Sequence, residues 1–161
     1  MSLTNFTFFL CTLFSVSLMG QKFDKIVYYQ TMETNDSLKI NQQLNLLQSS
    51  SIKEKQAYEG ALLLKKAGVV TNKRNKLNTF KLGKHKLENA LEKDSSNTEY
   101  HFLRLMIQEN VPKILGYHAA LEKDNIYIRK NYHTLNPVLK QAILEYSKQS
   151  KILSNLSIDV K

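Results

Sequence analysis

The sequence predicts an all-α domain of about seven helices, on three observations. Glycine and proline are scarce, at 5 and 2 residues in 161. No segment alternates apolar and polar residues as a half-buried strand would. Apolar residues recur instead at helical spacing, in stretches that begin after Ser, Asn or Asp. One domain is expected, since a chain of this length buries about two-thirds of its unfolded surface.

The first short amphipathic stretch is marked by Phe23, Ile26, Val27 and Gln30, and a second by Leu38, Leu44 and Leu47 after the turn Thr34-Asn35-Asp36. Ser51 and Glu54 have the spacing of a capping box, so a third helix is expected from Ser51, carrying Tyr58, Ala61, Leu62 and Leu64. Gly68 is placed to end it in the left-handed conformation. Asn72 can cap a long fourth helix with Leu77, Phe80, Leu87, Ala90 and Leu91 on one side and Lys81, His85 and Lys86 on the other.

Ser96 and Glu99 repeat the capping-box spacing and start a fifth helix. Its Phe102, Leu103, Leu105, Met106 and Ile107 surround most of the axis, as in a central, buried element. Pro112 suits the first turn of a short helix that Gly116 ends. A further helix runs from about Ala119 to Tyr132, with Glu122 and Asp124 early and Arg129 and Lys130 late, in the order that the helix dipole favours. Asn136-Pro137 reads as cap and first residue of a last helix through Ile143, Leu144 and Ile152.

The pentapeptide Ala-Leu-Glu-Lys-Asp occurs at Ala90 and again at Ala120. The first copy should close a helix and the second open one, because Leu121, Ile128 and Tyr132 continue a stripe beyond it. The repeat is then one of letters and not of structural role.

The ends carry an address. Residues 5–19, NFTFFLCTLFSVSLM, hold no charge and stop at Gly20, Gln21 and Lys22. The run is shorter than the roughly 20 apolar residues of a membrane span, so residues 1–20 read as a signal peptide cleaved near Gly20. Residues 21–154 would form the helical domain and 155–161 a frayed tail. The mature chain would be secreted or periplasmic, without a transmembrane span. The single cysteine, Cys11, would leave with the peptide, and with it disulfides, zinc-thiolate sites and a cysteine nucleophile.

The net charge is +9 and is unevenly placed. No Asp or Glu lies between Gly60 and Leu87, where Lys65, Lys66, Lys73, Arg74, Lys76, Lys81, Lys84 and Lys86 all fall. Such a block is either a solvated face or a patch for an anionic glycan or lipid headgroup. Nucleic acid suits it poorly, because export separates the chain from most nucleic acid and no reading motif is visible.

No phosphate-cradling or nucleophile-elbow motif is present, and His85, His101, His118 and His133 lie too far apart for a local metal motif. Glu88, Glu92, Asp94 and Glu99 sit among lysines near helix ends, where capping and pairing account for them. No catalytic residue, cofactor or metal is expected. On the fifth helix His101, Arg104 and Gln108 share a face and could line a partner groove. The alternative is structural: Arg104 on a buried helix needs a carboxylate and could tie two helices together.

The stretch GKHKLENALEKDSSNTEYHFLRL resembles a tetratricopeptide repeat where one repeat hands over to the next. Gly83 stands at its small position, Leu87 at its bulky one, Ala90-Leu91 at its small-plus-apolar pair, and Asp94 and Asn97 at its turn, with Ser95 in place of the usual proline. AYEGALLLKKAG, from Ala57 to Gly68, resembles the preceding helix of the pair. The whole chain also resembles a type of small secreted helical bacterial protein, a likeness that supplies no activity. The resemblance implies antiparallel helix pairs and a non-enzymatic role in binding another protein through a concave surface, with no functional residue carried over.

Overall fold

The computed structural model describes residues 22–154, so the expected signal peptide and tail lie outside the described residues. Among those residues the fold is all-α, with no strand. The helices are α1 (Lys25–Glu33), α2 (Ser37–Ser49), α3 (Lys55–Val69), α4 (Lys73–Lys93), α5 (Thr98–Asn110), α6 (Leu121–Asn131) and α7 (Pro137–Ser147). Single 3-10 turns follow α5 at Lys113–Leu115 and α6 at Tyr132–Thr134.

Short polar side chains start most helices. Asp24, Asp36, Asn72, Asn97 and Asn136 each accept a bond from the first turn that follows, which satisfies amides with no intrahelical partner. Pro137 occupies the first turn of α7, where its missing N–H costs nothing.

The expected capping boxes do not form. α3 begins at Lys55 rather than Ser51, and Glu54 makes no side-chain cap. Lys55 Nζ reaches back to the Gln48 carbonyl at 2.6 Å and the Ser50 carbonyl at 3.4 Å, closing the end of α2 instead. At α5 the cap is Asn97, whose Oδ1 accepts from Glu99 N at 3.0 Å, while Ser96 bonds Asp94. Glu99 is thereby free to turn inward.

Gly68 lies inside α3 and does not end it, and Val70 closes that helix by donating to the Lys66 carbonyl. The left-handed glycine is Gly116, at φ 60°, which ends the turn after Pro112 as expected. α7 stops at Ser147 short of Ile152, because Glu109 of α5 accepts from Lys151 N at 2.6 Å and Ile152 N at 3.2 Å and draws the chain out of helix. In α1 the inward side chains are Tyr28, Tyr29 and Met32, whereas Ile26 and Val27 are exposed. Leu38 and Leu77 are exposed as well.

α3 and α4 form the tightest pair. Gly60 lies against Leu87 and Gly83, and Gly83 against Leu64, so the residue numbers run in opposite directions and the helices are antiparallel. Packed on this pair are α2 and α5, with α6 against α5, and α1 touching both α2 and α7. The core is continuous, from Tyr28 and Tyr58 through Leu62, Leu87, Phe102 and Leu103 to Ile128 and Ile143. This arrangement is compatible with a helical-repeat-like fold.

The two copies of Ala-Leu-Glu-Lys-Asp take different roles. The first ends α4, with Asp94 at its C-cap, and the second starts α6. Asp94 accepts from the Ser96 hydroxyl at an exposed turn, whereas Asp124 is fully buried.

Candidate functional site

α4, α5 and α6 meet at Arg104. Its Nε and Nη2 donate to the two oxygens of Asp124, each at 2.8 Å, and Nη1 donates to Glu88 Oε2 at 2.8 Å. Such a fork on one carboxylate is the geometry for which arginine is preferred to lysine. His101 Nδ1 lies 2.7 Å from Asp124 Oδ1, and Nε2 lies 2.9 Å from the Ser95 carbonyl oxygen. Its ring stacks on Tyr127, with centroids 4.2 Å apart. The Tyr117 hydroxyl donates to Glu88 in a very short bond.

Burial would raise the Asp124 pKa, but the bonds and charges of Arg104 and His101 outweigh it and hold the carboxyl below its usual range. For Arg104 burial acts to lower the pKa, and the carboxylates of Asp124 and Glu88 overcome it. Gln108, also buried, accepts at Oε1 from Ala120 N at 3.2 Å and so fixes the start of α6. His101, Arg104 and Gln108 therefore share a side of α5, but α6 covers it. His101 and Gln108 are buried and Arg104 is partly buried there.

A second buried knot surrounds Glu99. Its Oε1 accepts from the Tyr58 hydroxyl at 2.5 Å and the Tyr29 hydroxyl at 2.7 Å, and its Oε2 from Lys25 Nζ at 3.1 Å. These bonds join α1, α3 and α5. Burial, and then the Glu99 charge, push the hydroxyls of Tyr28, Tyr29 and Tyr58 well above their ordinary pKa.

A cleft open to solvent lies elsewhere, among the ends of α1, α3, α4, α5 and α7. Its volume is about 970 Å³, at the upper end of the roughly 300–1,000 Å³ of small-molecule sites. Leu64, Phe80, Met106 and Ile107 give it an apolar floor, and Leu77 on its wall is 46% exposed. Lys65, Lys73, Lys76 and Lys151 line it too, against the carboxylates Glu33 and Glu109. Glu109 is already held by Tyr146, Ser150 and two backbone amides. Burial lowers the Lys65 pKa, partly opposed by Glu33.

The residues of the basic stretch differ in exposure and pairing. Lys86 pairs with Glu59 at 2.6 Å, and Lys84 lies over the Tyr117 ring, 4.9 Å from its centroid. Lys65 and Lys66 are half-buried on α3. Lys73, Arg74, Lys76 and Lys81 are exposed on α4, with no ion pair among the described residues.

Sequence reasoning missed the cleft because its floor residues read as core and its shape arises only where five helix ends fail to meet. The exposed Leu77 beside Lys73 and Lys76 is the one local trace of it. Among the described residues no group of three His, Cys, Asp or Glu side chains is disposed to hold a metal ion, and no helix is long and apolar enough to cross a membrane. Comparison with protein-family models, with curated proteins and with solved structures finds no match to this chain.

Proposed function

We propose that this chain is a non-enzymatic interaction module of tetratricopeptide-like helix pairs, exported to the periplasm or cell surface, which binds another protein in the cleft between α1, α3, α4, α5 and α7. The observation that carries the reading is the pairing of an apolar floor with a lysine-bearing wall. That chemistry fits an amphipathic helical segment with an acidic flank. The buried Asp124 and Glu99 and the partly buried Glu88 and Glu109 all accept bonds from neighbouring side chains, which favours binding over catalysis. Selection of displayed peptides against the protein tests it. Enriched peptides should carry an apolar face edged with Asp or Glu and should lose binding to a Leu77→Asp variant. Enrichment without such a pattern, or unaffected by Leu77→Asp, counts against it.

A second reading is favoured by Lys73, Arg74, Lys76 and Lys81, exposed and without an ion pair among the described residues: the exposed basic residues of α4 bind an anionic polymer or lipid headgroup. Affinity would then fall steeply as salt rises, because neutralised counterions are released. Export rests on residues 1–20, and N-terminal sequencing of protein recovered outside the cytoplasm should begin near Gln21.

A further inference from the structure

We propose that the turn Pro112 to Gly116 is a wedge that inserts Ile114 into the surface of an anionic lipid bilayer while the adjoining cations hold the headgroups. This rests on the second reading above, that the basic side of α4 meets an anionic ligand, and names the ligand as a membrane.

Ile114 is 94% exposed, the highest value among the large apolar side chains of the described residues, and its neighbour Leu115 is 40% exposed. A lone exposed isoleucine needs no explanation, but this one stands in a hydrogen-bonded turn. Leu115 N donates to the Pro112 carbonyl and Gly116 N to the Lys113 carbonyl, both at 3.0 Å, and Gly116 closes the turn in the left-handed region at φ 60°. An apolar tip already ordered loses little conformational freedom when it inserts.

The turn is also clamped to the basic helix. Tyr117, just beyond it, packs edge-on against Phe80 at 5.9 Å and bonds Glu88, both on α4. Leu115 faces the same cleft as Lys73, Lys76 and Leu77. Ile114 is therefore fixed beside a helix whose exposed residues include Lys73, Arg74, Lys76 and Lys81, and Lys113 adds a cation within the turn itself. No Asp or Glu lies between Val111 and Leu121 or between Gly60 and Leu87.

A protruding apolar residue with Lys113 beside it, and with Lys73 and Lys76 on the cleft that Leu115 shares, matches an anionic bilayer, where apolar insertion and attraction to headgroups add. A protein partner would need a pocket to receive the tip. A soluble polyanion would use the lysines and leave Ile114 in water.

The chain contains no tryptophan, so Ile114→Trp places a single indole at the tip of the full-length protein. The probes are phosphatidylcholine vesicles with and without phosphatidylglycerol, and soluble polyphosphate. The expected result is a blue shift and protection from aqueous quencher with phosphatidylglycerol vesicles only. A Lys73→Glu, Lys76→Glu, Lys113→Glu variant should abolish the shift, and Ile114→Asp should weaken sedimentation with these vesicles about tenfold or more. An indole carried by Ile126→Trp on α6 should stay in water. Vesicle binding that leaves the Ile114→Trp indole in water, or shifts both indoles equally, overturns the wedge while the basic-face reading stands. Failure to bind either phosphatidylglycerol vesicles or polyphosphate overturns both.

Discussion

Gly60 of α3 and Gly83 of α4 face each other at a backbone crossing that admits no side chain. A Cβ on Gly60 would lie 2.6 Å from Leu87 N, and one on Gly83 would lie 2.7 Å from Leu64 N and 2.8 Å from the Gly60 carbonyl oxygen. These are contacts with backbone, which cannot swing aside. Alanine improves helix propensity by about 1 kcal/mol over glycine, but forcing the helices apart costs about 1–3 kcal/mol or more. Gly60→Ala and Gly83→Ala should therefore destabilise the fold. Gly68→Ala, also in α3 but with nothing within 4 Å, should stabilise it by about 0.5–1 kcal/mol. Denaturant unfolding of the three variants checks the opposite signs.

Asp124→Asn should destabilise by about 1–3 kcal/mol, because the partly buried Arg104 guanidinium keeps Glu88 but loses the carboxylate that it clasps with two bonds. The pH dependence has a definite sign. Asp124 is held below its ordinary value of 3.8 in the folded state, so the folded protein binds fewer protons there than the unfolded one. Its contribution is complete above that value and is lost as pH falls through the lowered folded pKa. Acid unfolding followed by circular dichroism should show a shallower loss for Asp124→Asn than for the parent.

The tyrosines set the opposite limit. Tyr28, Tyr29 and Tyr58 are raised well above 10.0 by burial and by Glu99, and Tyr100 is pushed up, chiefly by burial, to about 12. The folded state holds these protons more tightly, so the stability they confer is full below 10.0 and lost as pH rises. Phenolate absorbance from this group should appear together with loss of helix, in one cooperative step. Gradual ionisation with helicity intact would contradict the buried Glu99 knot. Tyr58→Phe should cost about 1–3 kcal/mol, since it removes one of the donors to that carboxylate.

The helices were largely legible from the residues, and the polar chemistry was not. Asn72, Asn136-Pro137 and Gly116 act where local rules place them, because a cap or a left-handed turn involves neighbours in sequence. Ser51 and Ser96 follow the same rules but lose to competitors: Lys55 closes α2, and Asn97 caps α5. α1 shows that helical spacing locates a stripe without saying which side points inward. Ile26 and Val27 face solvent because Tyr28 and Tyr29 carry hydroxyls that reach the Tyr58 carbonyl and Glu99. The need of Arg104 for a carboxylate was foreseeable. That Asp124, 20 residues away, supplies it depends on the packing of α6 across α5.

The most direct test of the cleft as the interaction site is site-specific photocrosslinking in extract of the source cells, with the reactive group at Leu77 on the cleft wall and, separately, at Ile126 on α6. The account predicts one discrete protein adduct from position 77 that persists at high salt, and none from position 126. No adduct at 77, or the same adducts from both positions, would contradict it.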